Sequence, residues 1–398
     1  MITHLRKKFN EEFSATKYAT FLEDLNSYHP GAIEFRVAET PIFIPKHFTN
    51  KVIDACEGII DLITDEKFIS LTNKAVPAGL KVPMVNDHSH FIAFDFGVCN
   101  GPAGELEPQL IEMQGFPSLF AYQVLLDDVS QKHYNLPTNF SPYLSGLNRE
   151  SYIRLLKEII LENVPEQNVI LLEIFPEKQK TRIDFHATKD YAGIEMVCLT
   201  ELIKEDRKLF YIKDGIKTEI KRIYNRIIFD ELQQQSAEIR EKGKILFEEL
   251  DVQWVPHPDW FYRISKYTMP FIRHNYVPKT YFLNEINQLP ADLENYVLKP
   301  LFSFAGQGVV IDVTPEDVQS VKDPENWILQ RKVNYADAIA TPDGPAKCEI
   351  RIFYFWKQGT ARPIPANNLA RLSKGKMIGV RYNKDKEWVG GSYCLFER

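Results

Sequence analysis

Two apolar runs in the middle of the chain limit its architecture more than any other feature. NVILLEI, residues 168–174, reads as a buried strand, and IEMVCL, residues 194–199, reads as a second. The stretch before Ala192 has helical character, and Gly193 stops it. Strand, helix and strand in this order make a βαβ unit, whose crossover lets two strands run parallel. A partly parallel sheet is expected, which places the chain in the α/β (mixed α+β) class.

Other elements surround this unit. The first ~75 residues read as helices with one short extended piece, TPIFIP. TNKVIDACEGIIDLI spaces its apolar residues as a helix does, with Thr49 or Asn50 as its cap. HFIAFDFGV and PQLIEMQ read as a strand pair, and SLFAYQVLLDDVSQ as a helix capped by Ser118. The loop LPTNFSPYLSGLN leads to a helix at RESYIRLLKEII. LFYIKDGIKTEI predicts a hairpin turning at Asp214-Gly215, and Ile228 to Glu249 reads as one long polar helix. From about Trp254 helix, strand, glycine loop and strand pairs follow one another to Arg398. The expected organisation is a mainly helical region at 1–78, an α/β region at 79–250 and a further pair of lobes at 251–398.

Composition excludes several functions. A chain of 398 residues exceeds one small core, and 44% hydrophobic with 26% charged residues is ordinary globular material. A net charge of -6 offers no long basic footprint for nucleic acid. No apolar run is long enough to span a bilayer, and MITHLRKKFNEEF lacks the apolar stretch of a signal peptide. Cys56, Cys99, Cys198, Cys348 and Cys394 stand singly, without zinc or redox spacing. Reduced thiols in a cytoplasm are the expected setting.

The stretch YVLKPLFSFAGQGVVIDV, residues 296–313, combines a strand ending in Lys299 and a proline, a loop with Gly306 and Gly308, and a second strand. Backbone N–H groups of such a loop approach phosphate oxygens closely, and a neighbouring lysine adds a point charge. It is not a P-loop, because the spacing differs and a strand rather than a helix follows. A plain hairpin turn is the competing reading. Upstream lie FYRISKYTMPFI, with Lys266 on an expected helix, and HNYVPKTYFL. Downstream lie WILQRKV, which reads as a strand end and hinge, and CEIRIFYFW, an alternating strand carrying Glu349 and Arg351.

This order resembles the ATP-grasp superfamily, in which one nucleotide is held between two α+β lobes. The resemblance implies that Lys266 and Lys299 contact ATP phosphates. It implies that the loop with Ser303, Gly306, Gln307 and Gly308 closes over them, and that Gln330, Arg331, Lys332 and Val333 line the adenine pocket. FIAFDFGV and LIEMQGFPSL resemble the synthetase part of glutathionylspermidine synthase, a circularly permuted ATP-grasp type. By that match Asp95, Glu112 and Gln114 are Mg²⁺ ligands, with Gln114 where the family has Asn and Ala93 where it has Arg. Hard oxygen donors of this kind suit Mg²⁺. At the chain end Arg351 falls on the family's first arginine and Arg371 on the second, which marks both as catalytic. Asn367 and Asn368 replace two glycines there and tolerate left-handed backbone. Arg226 in RIYNRIIFDEL matches a "YRR" segment and either faces substrate or pairs with an acid. His88 and His90 either lie on an exposed strand face or contact substrate or metal.

The function implied is an ATP- and Mg²⁺-dependent ligase that joins a small-molecule carboxylate to an amine through an acyl phosphate. A noncatalytic nucleotide-binding protein and a phosphotransferase of the same fold are the alternatives. Neither nucleic acid nor membrane is an expected partner.

Overall fold

The computed structural model describes residues 1–302, 308–375, 378, 383 and 385–398. Ser303, Gly306 and Gln307 of the glycine loop lie outside the described residues.

The βαβ unit forms as its pattern requires. Val169–Glu173 and Glu195–Cys198 pair in parallel, joined through helix Arg182–Ala192, which ends at Gly193 with φ 78°. Arg222–Asn225 and Gln253–Val255 extend the sheet, also in parallel. Val169 and Leu171 face one apolar cluster, with Tyr152 and Phe185. Ile170 and Leu172 face another, with Ile223 and Trp254. Burial on both faces explains why the strand is a continuous apolar run rather than an alternating one. The strand ending at Val255 belongs to this sheet, so the change of texture near Trp254 falls inside an element.

The central sheet has five antiparallel strands in the order Gly390–Ser392, Ile364–Ser373, Lys347–Phe355, Phe91–Asn100 and Leu106–Gln114. Alternation divides its faces. Phe94, Phe96, Ile350, Ile352 and Tyr354 join a core beneath helix Lys46–Ile63, which contributes Phe48, Val52, Ile59 and Ile60. Each such side chain, fully buried, stabilises by about 1.5–3 kcal/mol. Asp95, Gly97, Glu349 and Arg351 alternate with these residues and occupy the opposite face. Beyond lies a four-stranded antiparallel sheet ordered Thr280–Phe282, Trp327–Arg331, Tyr296–Pro300 and Val310–Ile311. Ile42–Ile44 pairs in parallel with Cys394–Glu397 and so attaches the N-terminal helices to the last strand. The expected hairpin is present as Lys208–Lys213 and Ile216–Ile220, with Asp214 and Gly215 both at positive φ.

Several local expectations are corrected. Helix Lys46–Ile63 starts after Pro45, and neither Thr49 nor Asn50 caps it. The Lys46 N–H donates to Glu397 Oε2 at 3.0 Å instead. Helix Phe120–His133 is not capped by Ser118. Asp184 accepts from the N–H groups of Leu119, Ala121 and Tyr122 at 2.8–2.9 Å. In both cases a carboxylate from a distant element satisfies the helix terminus. The long polar helix is broken into Phe229–Gln233, Ala237–Gly243 and a 3₁₀ turn at Lys244–Phe247. Ser236 caps the second piece by accepting from Ile239 N–H, and the sequence there lacks an apolar stripe long enough to hold one helix together.

Candidate functional site

The polar face of the central sheet gathers residues from four adjacent strands. Arg351, Asp95 and Glu112 stand side by side in register, and Arg371 stands opposite Glu349. The Leu106–Gln114 strand bulges at this point, because Asp95 pairs with Glu112 while Phe96 pairs with Leu110. Ile111 is the extra residue. The bulge keeps both Leu110 and Met113 in the core, and the Ile111 carbonyl accepts from Lys299 Nζ at 3.1 Å.

Asp95 is buried, at 1% exposure, and both its oxygens are engaged. Arg351 Nε and Nη2 donate to its two oxygens at 2.6 Å each. Arg371 Nη2 adds a bond to Oδ2 at 3.0 Å and lies 3.0 Å from Glu349 Oε2. A two-pronged guanidinium–carboxylate pair is among the stronger charge-assisted contacts. Burial alone would lower the Arg371 value, but Glu349, Asp95 and Glu112 overcome it and raise it above the ordinary arginine range. Burial pushes the Glu349 carboxyl up, against the pull of Arg371. Tyr335 O–H donates to Glu349 Oε1. Its ring needs Gly97, since a Cβ there would lie 2.8 Å from Tyr335 Cε1.

Glu112 is only half-buried. Burial would raise its carboxyl, but Lys266, Arg371, Arg351 and Lys299 together hold it down at about 2. Gln114 Nε2 donates to Glu112 Oε1 at 3.0 Å. Lys266 sits on a 3₁₀ turn, Lys266–Phe271, rather than on an α-helix, and is buried. Burial lowers its value, opposed by Glu112. Lys299 is brought down to about 8 by burial, with Glu112 opposing and Lys266 assisting. It also donates to Gln330 Oε1. Of the remaining expected site residues, Gly308 has φ +74°, and a Cβ there would meet Pro300 Cγ at 3.1 Å. The Arg331 side chain is exposed and faces Asp292 at 3.5 Å. Lys332 pairs with Asp312 at 2.5 Å, its N–H donates to Asn295, and Val333 is half-buried.

The structure thus brings Lys266, Lys299, Gln330, Asp95, Glu112, Gln114, Arg351 and Arg371 to one face. Arg331, Lys332 and Val333 lie at the end of the Trp327–Arg331 strand and just beyond it, two of them with their own partners. Among the described residues no group of three or more His, Cys, Asp or Glu side chains could hold a metal ion. Two further expectations are corrected. Asn367 and Asn368 lie fully buried in the Ile364–Ser373 strand, just after a register shift at Ala366, without left-handed backbone. Asn368 accepts from Cys394 N–H at 2.6 Å and donates to the Cys394 and Pro142 carbonyls at 3.0 Å, which stitches two sheets together. His88 and His90 are buried rather than on an exposed strand face, and His88 stacks on Trp356 at 4.3 Å. Arg226 donates to the Pro117 carbonyl at 2.8 Å and covers the Phe116 ring. Sequence reasoning missed Tyr335 and the Ile111 carbonyl. Neither carries a motif: one arrives on an irregular segment beside Cys99, and the other depends on a bulge.

No helix among the described residues is long and apolar enough to cross a membrane. Neither a protein-family model nor a curated protein matches the chain. A solved structure does: a glutathione synthetase-like effector from Globodera pallida in its apo form, at a TM-score of 0.58 and 11% identity, over 97% of this chain and 98% of that one. At that identity the likeness concerns the fold alone, and the fold of this chain is a mixed α+β, ATP-grasp-like one.

Proposed function

We propose that the chain is an ATP-dependent ligase of the ATP-grasp type, which joins a carboxylate to an amine through an acyl phosphate. The observation that carries this reading is the convergence of Lys266 and Lys299 on Glu112, beside Arg371 and Arg351. Buried lysines facing one half-exposed carboxylate leave cationic charge over, which suits a polyphosphate. The ATP-grasp-like fold supports the same reading, and so does its likeness to a glutathione synthetase-like effector.

The chain's residues would divide the work as follows. Lys266 and Lys299 hold phosphate oxygens as point charges. Arg371 offers its guanidinium to the charge that develops on the transferring group. Asp95 fixes the plane of Arg351 and one edge of Arg371, so both cations are oriented before substrate arrives. A bound Mg²⁺ supplies neutralisation of phosphate charge. Glu112 and Gln114, half-buried and beside the lysines, fit a cation that keeps waters and phosphate oxygens. Asp95 does not fit as a ligand in this arrangement, because arginines occupy both its oxygens.

That occupancy also favours a second reading, a nucleotide-binding protein without turnover. Two measurements separate them. Saturating ATP raises the melting temperature, by mass action worth about 2.7 kcal/mol at a hundredfold excess over Kd, and Lys299→Ala removes most of the rise. Hydroxylamine with pooled carboxylic acids, ATP and Mg²⁺ then yields a hydroxamate if an acyl phosphate forms. A wild type with no thermal shift refutes nucleotide binding. A shift with neither hydroxamate nor ADP leaves the noncatalytic reading.

A further inference from the structure

The disagreement between Asp95 and its expected metal-ligating role carries a consequence that rests on the nucleotide reading above. On this face Asp95, Glu112 and Glu349 stand against Lys266, Lys299, Arg351 and Arg371. With all of them ionised, one positive charge is in excess. Asp95 is the most deeply buried of the three carboxylates, and three guanidinium bonds cover it. Glu349 is taken by Arg371 and Tyr335. Glu112 alone is half-exposed, and it faces two lysines. A bare divalent cation entering here meets net like charge and no free pair of carboxylates. A polyphosphate meets four cations.

We propose that this site has no divalent-cation site of its own and acquires one only when a polyphosphate or similar polyanion engages Arg371, Lys266 and Lys299. Arg371 is the element able to move. Its side chain is 37% exposed, against 11% for Arg351, and it spans Asp95 and Glu349 rather than gripping one carboxylate with two prongs. An anion that draws Arg371 away removes one of the two guanidinium bonds at Asp95 Oδ2, which Arg351 Nη2 still holds, beside Glu112 in the next strand. The chain thereby couples cation binding to anion binding. Such coupling is reciprocal: the factor by which the anion raises cation affinity is the factor by which the cation raises anion affinity.

The test uses Mn²⁺ as the cation and the β,γ-imido analogue of ATP as the anion, followed by calorimetry and by the electron paramagnetic resonance of free Mn²⁺. The wild type alone is expected to take up no Mn²⁺ saturably, even at millimolar concentration. It binds the analogue in EDTA, and the analogue then raises protein-bound Mn²⁺, beyond what the free analogue chelates, by about tenfold or more. Arg351→Gln/Arg371→Gln uncovers Asp95 and is expected to bind Mn²⁺ without any analogue. Tight Mn²⁺ uptake by the wild type alone overturns the proposal, as does a double variant that stays folded by circular dichroism and gains none. Analogue binding that requires Mn²⁺ overturns it while leaving the nucleotide reading intact. Analogue binding under no condition overturns that reading and this proposal together. The wild-type arms decide the matter if the double variant does not fold.

Discussion

Glu173→Gln should stabilise the protein, and more so as pH rises. Glu173 ends the Val169–Glu173 strand at the carboxyl edge of the parallel sheet and is 6% exposed. Burial drives its carboxyl up to about 8, although the Ile174 N–H bond and the Arg226 charge pull the other way. An acid whose folded value lies above its unfolded value holds its proton more tightly when folded. Its cost is absent well below the ordinary carboxylate value of 4.5, grows between 4.5 and about 8, and is complete above that. Each pH step inside that window costs about 1.4 kcal/mol, so the penalty is roughly 1 kcal/mol at pH 5, 3 at pH 7 and 5 at pH 9. Glutamine copies the shape of the protonated side chain, keeps an oxygen for the 2.7 Å bond from Ile174 N–H, and carries no proton to lose. Urea unfolding of wild type and variant in parallel at the three pH values isolates the term, since every other titration is shared. The variant should gain about 2 kcal/mol on the wild type between pH 5 and 7. A difference that does not change with pH, or a variant that loses ground as pH rises, refutes the reasoning.

Three further outcomes are expected. Asp184→Ala leaves three N–H groups at the start of helix Phe120–His133 without an acceptor, two of them buried, and should cost about 3–5 kcal/mol in urea unfolding. Asn368→Leu removes the three bonds that join the Ile364–Ser373 strand to the last strand and the Pro142 loop, and should lower stability by at least about 2 kcal/mol; a variant as stable as wild type would show the stitch to be dispensable. Lys299, depressed to about 8, is charged below that value and neutral above it, so nucleotide affinity measured by calorimetry should fall as pH rises through it, and Lys299→Arg should flatten the profile.

The local pattern of the chain dictated much of its secondary structure. Apolar runs at 168–174 and 194–199 joined by a helix made a βαβ unit and hence a parallel pair, with both faces of the first strand covered. The period of two along strands FIAFDFGV and CEIRIFYFW placed Asp95, Glu349 and Arg351 on the face away from Phe94 and Ile350. Asp214-Gly215 turned the hairpin through its tolerance of positive φ. These outcomes follow from neighbours a few residues apart, so they are written in the sequence. Other features depend on partners far along the chain. Glu397 accepts from Lys46 at a helix start 351 residues away, and Asp184 from Leu119, just ahead of another helix, 65 residues away. The bulge at Ile111 exists only where two strands meet in register. The identity of Asp95 marked it as an oxygen donor for a metal, but packing brought Arg351 and Arg371 from residues 256 and 276 positions later in the chain. A carboxylate's role is set by the nearest opposite charge, and that charge is chosen by the tertiary fold.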